Sequence, residues 1–385
     1  MPTWSPDSQH VLMFAERRNS GGASETDLLL LRIDDAGVTS ESVARNVNLG
    51  SSVAWRPDGG AVAIQEGTRI RILAVPQFTE LASTRVGRID GNLPLMVPNA
   101  MGFEADGKSL WLAVEGDGNS KRPPYPETIT LAVRLDATDF HELERLTLAT
   151  PVPGQRASFG SSIPPAQGQT RLEQTPAGLR LTALVGSDKD YLPGSGLVAV
   201  DLRRTFVLAI NLETRTKLLE WFELPTDNQA QTNRIPRLAQ LSRNSDLLVT
   251  SLSTPSARPN TPLPLSPRND RRFDIFDVAS QKRVATFGTS GPLGDLWDVE
   301  TSAGALSDDG RYYFKVVAKP SGQQQLADIL VVDTKNGNVV QRLSSSPPAR
   351  PLHLSVSPDG TRILVLSGEG APAIVDRLEL YQLAQ

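Results

Sequence analysis

The sequence has no cysteine among its 385 residues and only three histidines. The absence of cysteine excludes disulfide bonds, thiolate catalysis and cysteine-ligated metal sites. The histidines, His10, His141 and His353, are scattered along the chain, so a transition-metal cage would need several converging carboxylates. We therefore expect no cofactor, and no metal ion that folding requires.

Long apolar runs and an excess of positive charge are also missing. No apolar run approaches the roughly 20 residues that span a bilayer, so we expect no membrane span. The 39 basic and 43 acidic residues give a net charge of −4, which creates no positive field to attract nucleic acid. The chain also lacks a Gly-x-Ser-x-Gly nucleophile motif and a phosphate-binding glycine loop. These absences favour a binding protein over an enzyme.

One pattern does recur: an aromatic or aliphatic residue, a polar residue, a turn related to Pro-Asp-Gly, and then an apolar strand. Proline presets φ at the first corner of the turn, aspartate bonds back to the backbone, and glycine relieves strain at the reversal. Four-stranded propeller blades repeat every 40–50 residues or so, and longer intervals predict insertions. The copies begin near Trp4, Trp55, Phe103, Gln174, Leu241, Leu306 and Val356.

Seven copies predict one all-β domain over residues 1–385, a seven-bladed β-propeller of four-stranded antiparallel blades. The anchor Ser-Pro-Asp-Gly, followed by a strand, a short loop and a strand ending in Asp, resembles the repeat of TolB-like, WD-repeat-related propellers. The resemblance implies the fold but no single activity, because such repeats occur in scaffolds, translocation proteins and the gating domains of peptidases. The dipeptide Trp297-Asp298 occurs once, and the sequence places it in a loop, unlike a true WD repeat.

The insertions predict which face of the ring carries function. We label the strands of each blade A to D from the channel outwards, so that B–C and D–A connections share one face. Long loops on a rigid scaffold are the usual seat of binding. The predicted long connections are Arg17–Asp27, Glu115–Glu127, Thr150–Gln169, Gly186–Arg204, Ser253–Arg271, Gly288–Ser302 and Lys319–Ala327.

We therefore expect a non-catalytic bacterial scaffold that binds a protein or peptide through this face. Aromatic and arginine side chains are typical of interface hot spots. The alternative is a propeller enzyme, lactonase-like or lyase-like, that uses metal or polar residues in the central channel, with His353 among them. The candidate binding residues are Tyr125, Tyr191, Arg268, Arg271, Arg272, Trp297 and Asp298.

The last blade is predicted to be incomplete. Its A strand falls near 352–357, its B strand near 362–367 and its C strand near 375–383, after which the sequence stops. We expect three strands with an open outer edge, and an upstream segment that supplies the fourth strand. If such a segment also carries an export signal or anchor, the bacterial envelope is the expected compartment; otherwise it is the cytoplasm.

Overall fold

All regular structure in the described residues is β-strand. None of these residues forms a helix long and apolar enough to cross a bilayer. The computed structural model describes residues 2–18, 24–34, 37–44, 52–85, 100–114, 127–153, 156–158, 170–188, 204–225, 235–253, 272–288, 297–298, 304–307, 309–321, 324–344, 350–369 and 374–382.

The strands group into seven sheets, here called blades 1 to 7. Blade 1 contains β1 (Thr3–Trp4), β2 (His10–Arg18), β3 (Ser24–Asp34) and β4 (Gly37–Ala44), and blade 2 contains β5 (Val53–Trp55), β6 (Ala61–Glu66), β7 (Arg69–Ala74) and β8 (Thr79–Arg85). Blade 3 contains β9 (Ala100–Phe103), β10 (Ser109–Ala113), β11 (Thr128–Asp136) and β12 (Glu142–Ala149). Blade 4 contains β13 (Arg156–Ser158), β14 (Thr170–Thr175), β15 (Gly178–Asp188), β16 (Arg204–Asn211) and β17 (Lys217–Glu223).

The remaining blades follow the same order. Blade 5 contains β18 (Ile235–Leu241), β19 (Leu247–Ser253), β20 (Arg272–Asp277) and β21 (Lys282–Gly288). Blade 6 contains β22 (Trp297–Asp298), β23 (Ala305–Leu306), β24 (Tyr312–Ser321), β25 (Gln324–Asp333) and β26 (Val339–Ser344), and blade 7 contains β27 (Arg350–Val356), β28 (Arg362–Glu369) and β29 (Ile374–Gln382).

Each blade is an antiparallel sheet in which the A, B, C and D strands pair in sequence order, and in blades 4 and 6 a short extra strand also pairs with the B strand. Successive blades contact one another through their inner strands, and β29 of blade 7 contacts β2 of blade 1, which closes the ring. The predicted seven-bladed propeller is therefore confirmed. Blade 7 has three strands among the described residues, as expected. The assignment of all 385 residues to this one domain stays a prediction.

The core consists of seven apolar clusters, one at each seam between blades. The seam between blades 7 and 1, for example, joins Trp4 and Val11 to Leu364 and Leu366. B strands contact a neighbouring blade on both faces, so all five residues of β10 are buried. This explains the near-continuous apolar runs that follow each turn in the sequence.

Candidate functional site

The two faces of the ring differ in their connections. At one end of every blade the A–B turns are short, for example residues 56–60 in blade 2 and 357–361 in blade 7. The B–C and D–A connections leave from the opposite end and include the segments 86–99, 189–203 and 254–271. We call these ends the turn face and the loop face. The antiparallel order puts every predicted long connection at the loop face.

Two of the predicted loops are instead strand hairpins, and those predictions were wrong. In blade 1, β2 and β3 stay paired as far as Arg18 and Ser24. In blade 6, β24 and β25 stay paired as far as Ser321 and Gln324. Backbone pairing needs no apolar side chains, so a strand continues past the core where the hydrophobic pattern has already ended. Both hairpins therefore extend the paired strands beyond the core at the loop face.

The long D–A connections of blades 4 and 6 each contribute a short strand. Residues 156–158 form β13, which pairs with the end of β15, and Trp297–Asp298 form β22, which pairs with Val317 and Ala318 of β24. The predicted loop position of Trp297-Asp298 was therefore wrong. In both blades the extra strand pairs with the same edge of the B strand as the A strand does, but closer to the loop face.

For three of the seven candidate binding residues, the structure describes the backbone position. Arg272 begins the C strand β20 opposite Leu252, and Trp297 and Asp298 form β22, all at the loop-face ends of their blades. The side chains of these three residues are outside the described part of the structure. The other four candidates, Tyr125, Tyr191, Arg268 and Arg271, lie outside the described residues.

The turn face is held by a repeated side-chain network. In blade 7, the Ser357 hydroxyl donates to Asp359 at 2.6 Å and accepts from the backbone N–H of Arg362 at 3.0 Å. Ser307 and Asp309 repeat this arrangement in blade 6 at 2.6 Å. Burial raises the pKa of Asp359, but its hydrogen bonds hold that pKa below the usual range. The Ser-x-Asp pattern thus fixes the shape of the turn.

Polar contacts on the turn face also join neighbouring blades. At the closure of the ring, Ser8 accepts from the backbone N–H of Asp359 through its hydroxyl (3.1 Å) and from Arg362 through its carbonyl (3.2 Å). Between blades 3 and 4, the Glu213 carboxylate accepts from the backbone N–H groups of Ala105 (2.9 Å) and Leu179 (3.0 Å). At these two junctions the polar groups of the turn face bind to the neighbouring blade.

Arg180 bridges blades 4 and 5 from a buried position with 2% exposure. Its guanidinium donates to Ser242 O and Ser245 Oγ, both at 2.6 Å, to Leu241 O at 3.3 Å, and to Glu173 Oε2 at 2.8 Å. Burial alone would raise the pKa of Glu173, but the charges of Arg180 and Arg171 hold that pKa below its usual value. The repeat pattern in the sequence does not predict this pair. An arginine inside the apolar run of β15 was the available signal.

Blade 3 departs from the serine pattern by using a buried glutamate. Glu104 takes the serine position, and its carboxylate accepts from Trp111 Nε1 at 2.9 Å and from Arg134 at 2.5 Å. Arg215 of blade 4 stacks on the Trp111 ring at 4.9 Å. This network lies inside the seam between blades 3 and 4. We interpret it as structural.

One group of side chains in the described residues has ligand-like spacing. Potential ligand atoms of Asp136, Asp139 and His141 lie within 4.8 Å of one another. The hydrogen bond to Asp139, at 2.5 Å, raises the pKa of His141. Asp136 also accepts the backbone N–H of Thr138 at 2.7 Å, as expected of a carboxylate that shapes a turn. The group lies in the C–D turn of blade 3, on the turn face.

The other two histidines are equally uninformative about catalysis. His10 begins β2 and pairs with Asp7 at 3.2 Å on the surface. His353 lies on the inner strand β27, opposite Leu366, as predicted, but its side chain is outside the described part of the structure. A catalytic site needs converging groups, and the position of one histidine on an inner strand does not supply them.

Comparison with known proteins identifies the fold and nothing narrower. No protein-family model and no curated protein sequence matches this chain. A solved structure of hydrazine synthase from Kuenenia stuttgartiensis is similar with a TM-score of 0.55 and 14% identity, over 100% of this chain and 95% of that chain. An oligogalacturonate lyase in complex with manganese is similar with a TM-score of 0.53 and 12% identity, over 99% and 88%. These identities show a shared propeller fold alone.

Proposed function

We propose that the protein is a non-catalytic scaffold, related to TolB-like and WD-repeat propellers, that binds a protein or peptide through its loop face. The observation that carries the proposal is the unequal distribution of connections between the two faces. A rigid ring that holds variable segments on one face is a common arrangement for recognition. The turn face, by contrast, uses its polar groups to join its own blades.

The chemistry of the B–C connection of blade 5 supports a protein partner. The segment 254–271 carries five prolines, which stiffen a chain and lower the entropy lost on binding. Arginines at 268, 271 and 272 follow at its end. Arginine is enriched at interface hot spots because its planar group bonds and stacks at the same time. A proline-rich, basic segment of this kind suits an acidic surface or peptide.

Site-specific cross-linking from both faces tests the proposal. A photoreactive amino acid would replace Arg272 at the loop face and, as the matched control, the exposed Lys108 at the turn face. We expect a discrete protein adduct from position 272 and none from position 108. Adducts from position 108 alone, or equal adducts from both positions, would contradict the proposal. Stoichiometric bound metal together with turnover of a small substrate would favour the channel enzyme.

A further inference from the structure

The inner end of blade 4 carries a polar cluster on the side that faces blade 5. In the register of β14 and β15, Arg171 lies opposite Thr182 and Glu173 lies opposite Arg180. Residues paired in this way have their side chains on the same face of the sheet, with Cβ atoms about 4.5–5.5 Å apart. Arg180 donates to carbonyls of blade 5, whereas the alternate residue Leu181 packs in the cluster shared with blade 3. The four polar residues, here called the inner cluster, therefore face blade 5.

The inner cluster is open towards the central channel. β14 holds the inner position of blade 4, next to the channel. The A strands of neighbouring blades contact each other at several seams, for example β9 with β14, but the A strand β18 of blade 5 packs against β15 and β16. The side chains of Arg171 and Glu173 are 21% and 32% exposed, whereas that of Arg180 is buried. Among the A-strand side chains that the structure describes, Arg171 and Glu173 are the only charged ones.

The inner cluster has more hydrogen-bond donors than acceptors. Arg180 and Thr182 are only 2% and 3% exposed, and among the described residues neither Arg180 Nε nor Thr182 Oγ1 has a hydrogen-bond partner. The two terminal nitrogens of Arg180 are already bonded to blade 5 and to Glu173. Arg171 lies 3.6 Å from Glu173 Oε1, which is an ion pair but longer than a hydrogen bond. Buried polar groups normally have a partner, so these donors indicate a place for a further acceptor.

The inner cluster also carries one positive charge in excess. Burial raises the pKa of Glu173, but the charges of Arg180 and Arg171 hold that pKa below its usual value, so the carboxylate is ionised at neutral pH. Glu173 Oε2 accepts from Arg180 at 2.8 Å, which pairs these two charges and leaves Arg171 as the excess cation. Asp274, farther from the channel in the same seam, has its own cation in Arg283 at 3.6 Å. A ligand group with a single negative charge therefore balances the inner cluster.

We propose that the inner cluster binds a carboxylate group that enters through the central channel. The planar guanidinium of Arg171 matches the two oxygens of a carboxylate, and Thr182, directly opposite, supplies a hydroxyl donor. The Glu173–Arg180 pair ties the site to blade 5. A phosphate monoester fits less well, because it carries about 1.5–2 negative charges at neutral pH. The carboxylate belongs to a small acid or to an acidic residue of a polypeptide, and the site does not depend on the loop-face proposal.

Titration of the full chain with benzoate, and with its neutral analogue benzamide, tests the site by ligand-observed NMR. We expect saturable binding of benzoate that Arg171→Gln weakens by at least about tenfold, because the variant loses a charged hydrogen-bond donor. Arg69→Gln is the matched control, since Arg69 also pairs with a glutamate but lies on the outer strands of blade 2. Thr182→Val removes only the hydroxyl and should weaken binding by a smaller factor. Thermal unfolding checks that all three variants fold.

A capped triglutamate peptide distinguishes the two sources of the carboxylate. Tighter binding of the peptide than of benzoate assigns the site to a polypeptide, and tighter binding of benzoate assigns it to a small acid. In either case the Nε–H signal of Arg171, identified by its absence from Arg171→Gln, should shift during the titration. Four results would each overturn the proposal: no saturable binding of either probe, benzamide binding as tight as that of benzoate, tighter binding of inorganic phosphate, or unchanged affinity of folded Arg171→Gln.

Discussion

The turn face and the loop face are built from the same strands but are held in different ways. At the turn face, short turns carry buried serines, turn carboxylates and contacts between blades. At the loop face, hairpins of different lengths extend beyond the core. Blades 4 and 6 also contain a short extra strand there, β13 and β22 respectively. The comparison indicates that the repeat in the sequence encodes the ring, while the departures from the repeat encode what is particular to this protein.

Substitution of Arg180 should give the largest loss of stability. Arg180→Ala leaves two backbone carbonyls without this donor inside the seam between blades 4 and 5, while Glu173, whose side chain is 32% exposed, keeps its pair with Arg171. Each buried acceptor left without a donor costs about 1–3 kcal/mol in unfolding free energy, so the loss should exceed that of a single hydrogen bond. Chemical denaturation measures it. Arg32→Ala is the control, since that side chain is 54% exposed and its pair with Glu41 is weak. Equal losses of unfolding free energy in the two variants would show that the buried Arg180 contributes no more to stability than an exposed arginine.

A smaller loss should follow removal of one turn serine. Ser242 is fully buried, and its hydroxyl donates to Asp246 and accepts from the backbone N–H of Leu247 at 3.0 Å. Ser242→Ala removes the acceptor of the Leu247 N–H and one of the donors to Asp246, at a cost of about 1–3 kcal/mol in unfolding free energy. A loss below about 0.5 kcal/mol would show that the turn network does not hold the ring together.

The Glu173–Arg180 pair also predicts a dependence on pH. The pKa of Glu173 is lower in the folded state than its usual value of 4.5. The stability from its charge is therefore fully present above that value and is lost as the pH falls through the folded-state pKa. Glu173→Gln should be less stable than the wild type at neutral pH, and the two should converge in acid. A constant gap across the titration would contradict this account.

The smallest effect on stability is expected at the loop face. Deletion of residues 255–266 shortens a surface connection, and each doubling of loop length changes the closure free energy by only about 0.6 kcal/mol. Thermal unfolding of the deletion variant should therefore resemble that of the wild type. A large drop in the melting temperature would mean that the segment packs on the ring, contrary to its assignment as a recognition segment.

The sequence predicted the ring well because each blade repeats the same turn residues and the same buried strand. The turn residues and the buried B strands recur in order, and together they specify seven antiparallel sheets. It also predicted the three strands that the described residues form in the last blade. The long connections were less predictable: the β2–β3 and β24–β25 hairpins continue without an apolar pattern, and backbone pairing alone leaves no mark in the sequence.

The candidate site was harder to predict than the fold. Trp297-Asp298 pairs with β24 although nothing around it has a strand pattern, because tertiary context decides the conformation of so short a segment. Arg180 and Glu104 are charged residues whose partners are distant in sequence, so their burial could not be derived from local patterns. Of the candidate binding residues, Arg272, Trp297 and Asp298 have their backbone at the loop-face ends of strands, and their role in binding stays a prediction.

The most direct test of the account is the affinity of the deletion variant for the partner that position 272 cross-links. The account predicts that removal of residues 255–266 weakens this affinity by at least about tenfold, or 1.4 kcal/mol, while the free energy of unfolding stays unchanged. The folded fraction of Ser242→Ala should bind normally although that variant is less stable. Unchanged affinity after the deletion, with the loss found instead in folded Ser242→Ala, would place recognition on the turn face and contradict the account.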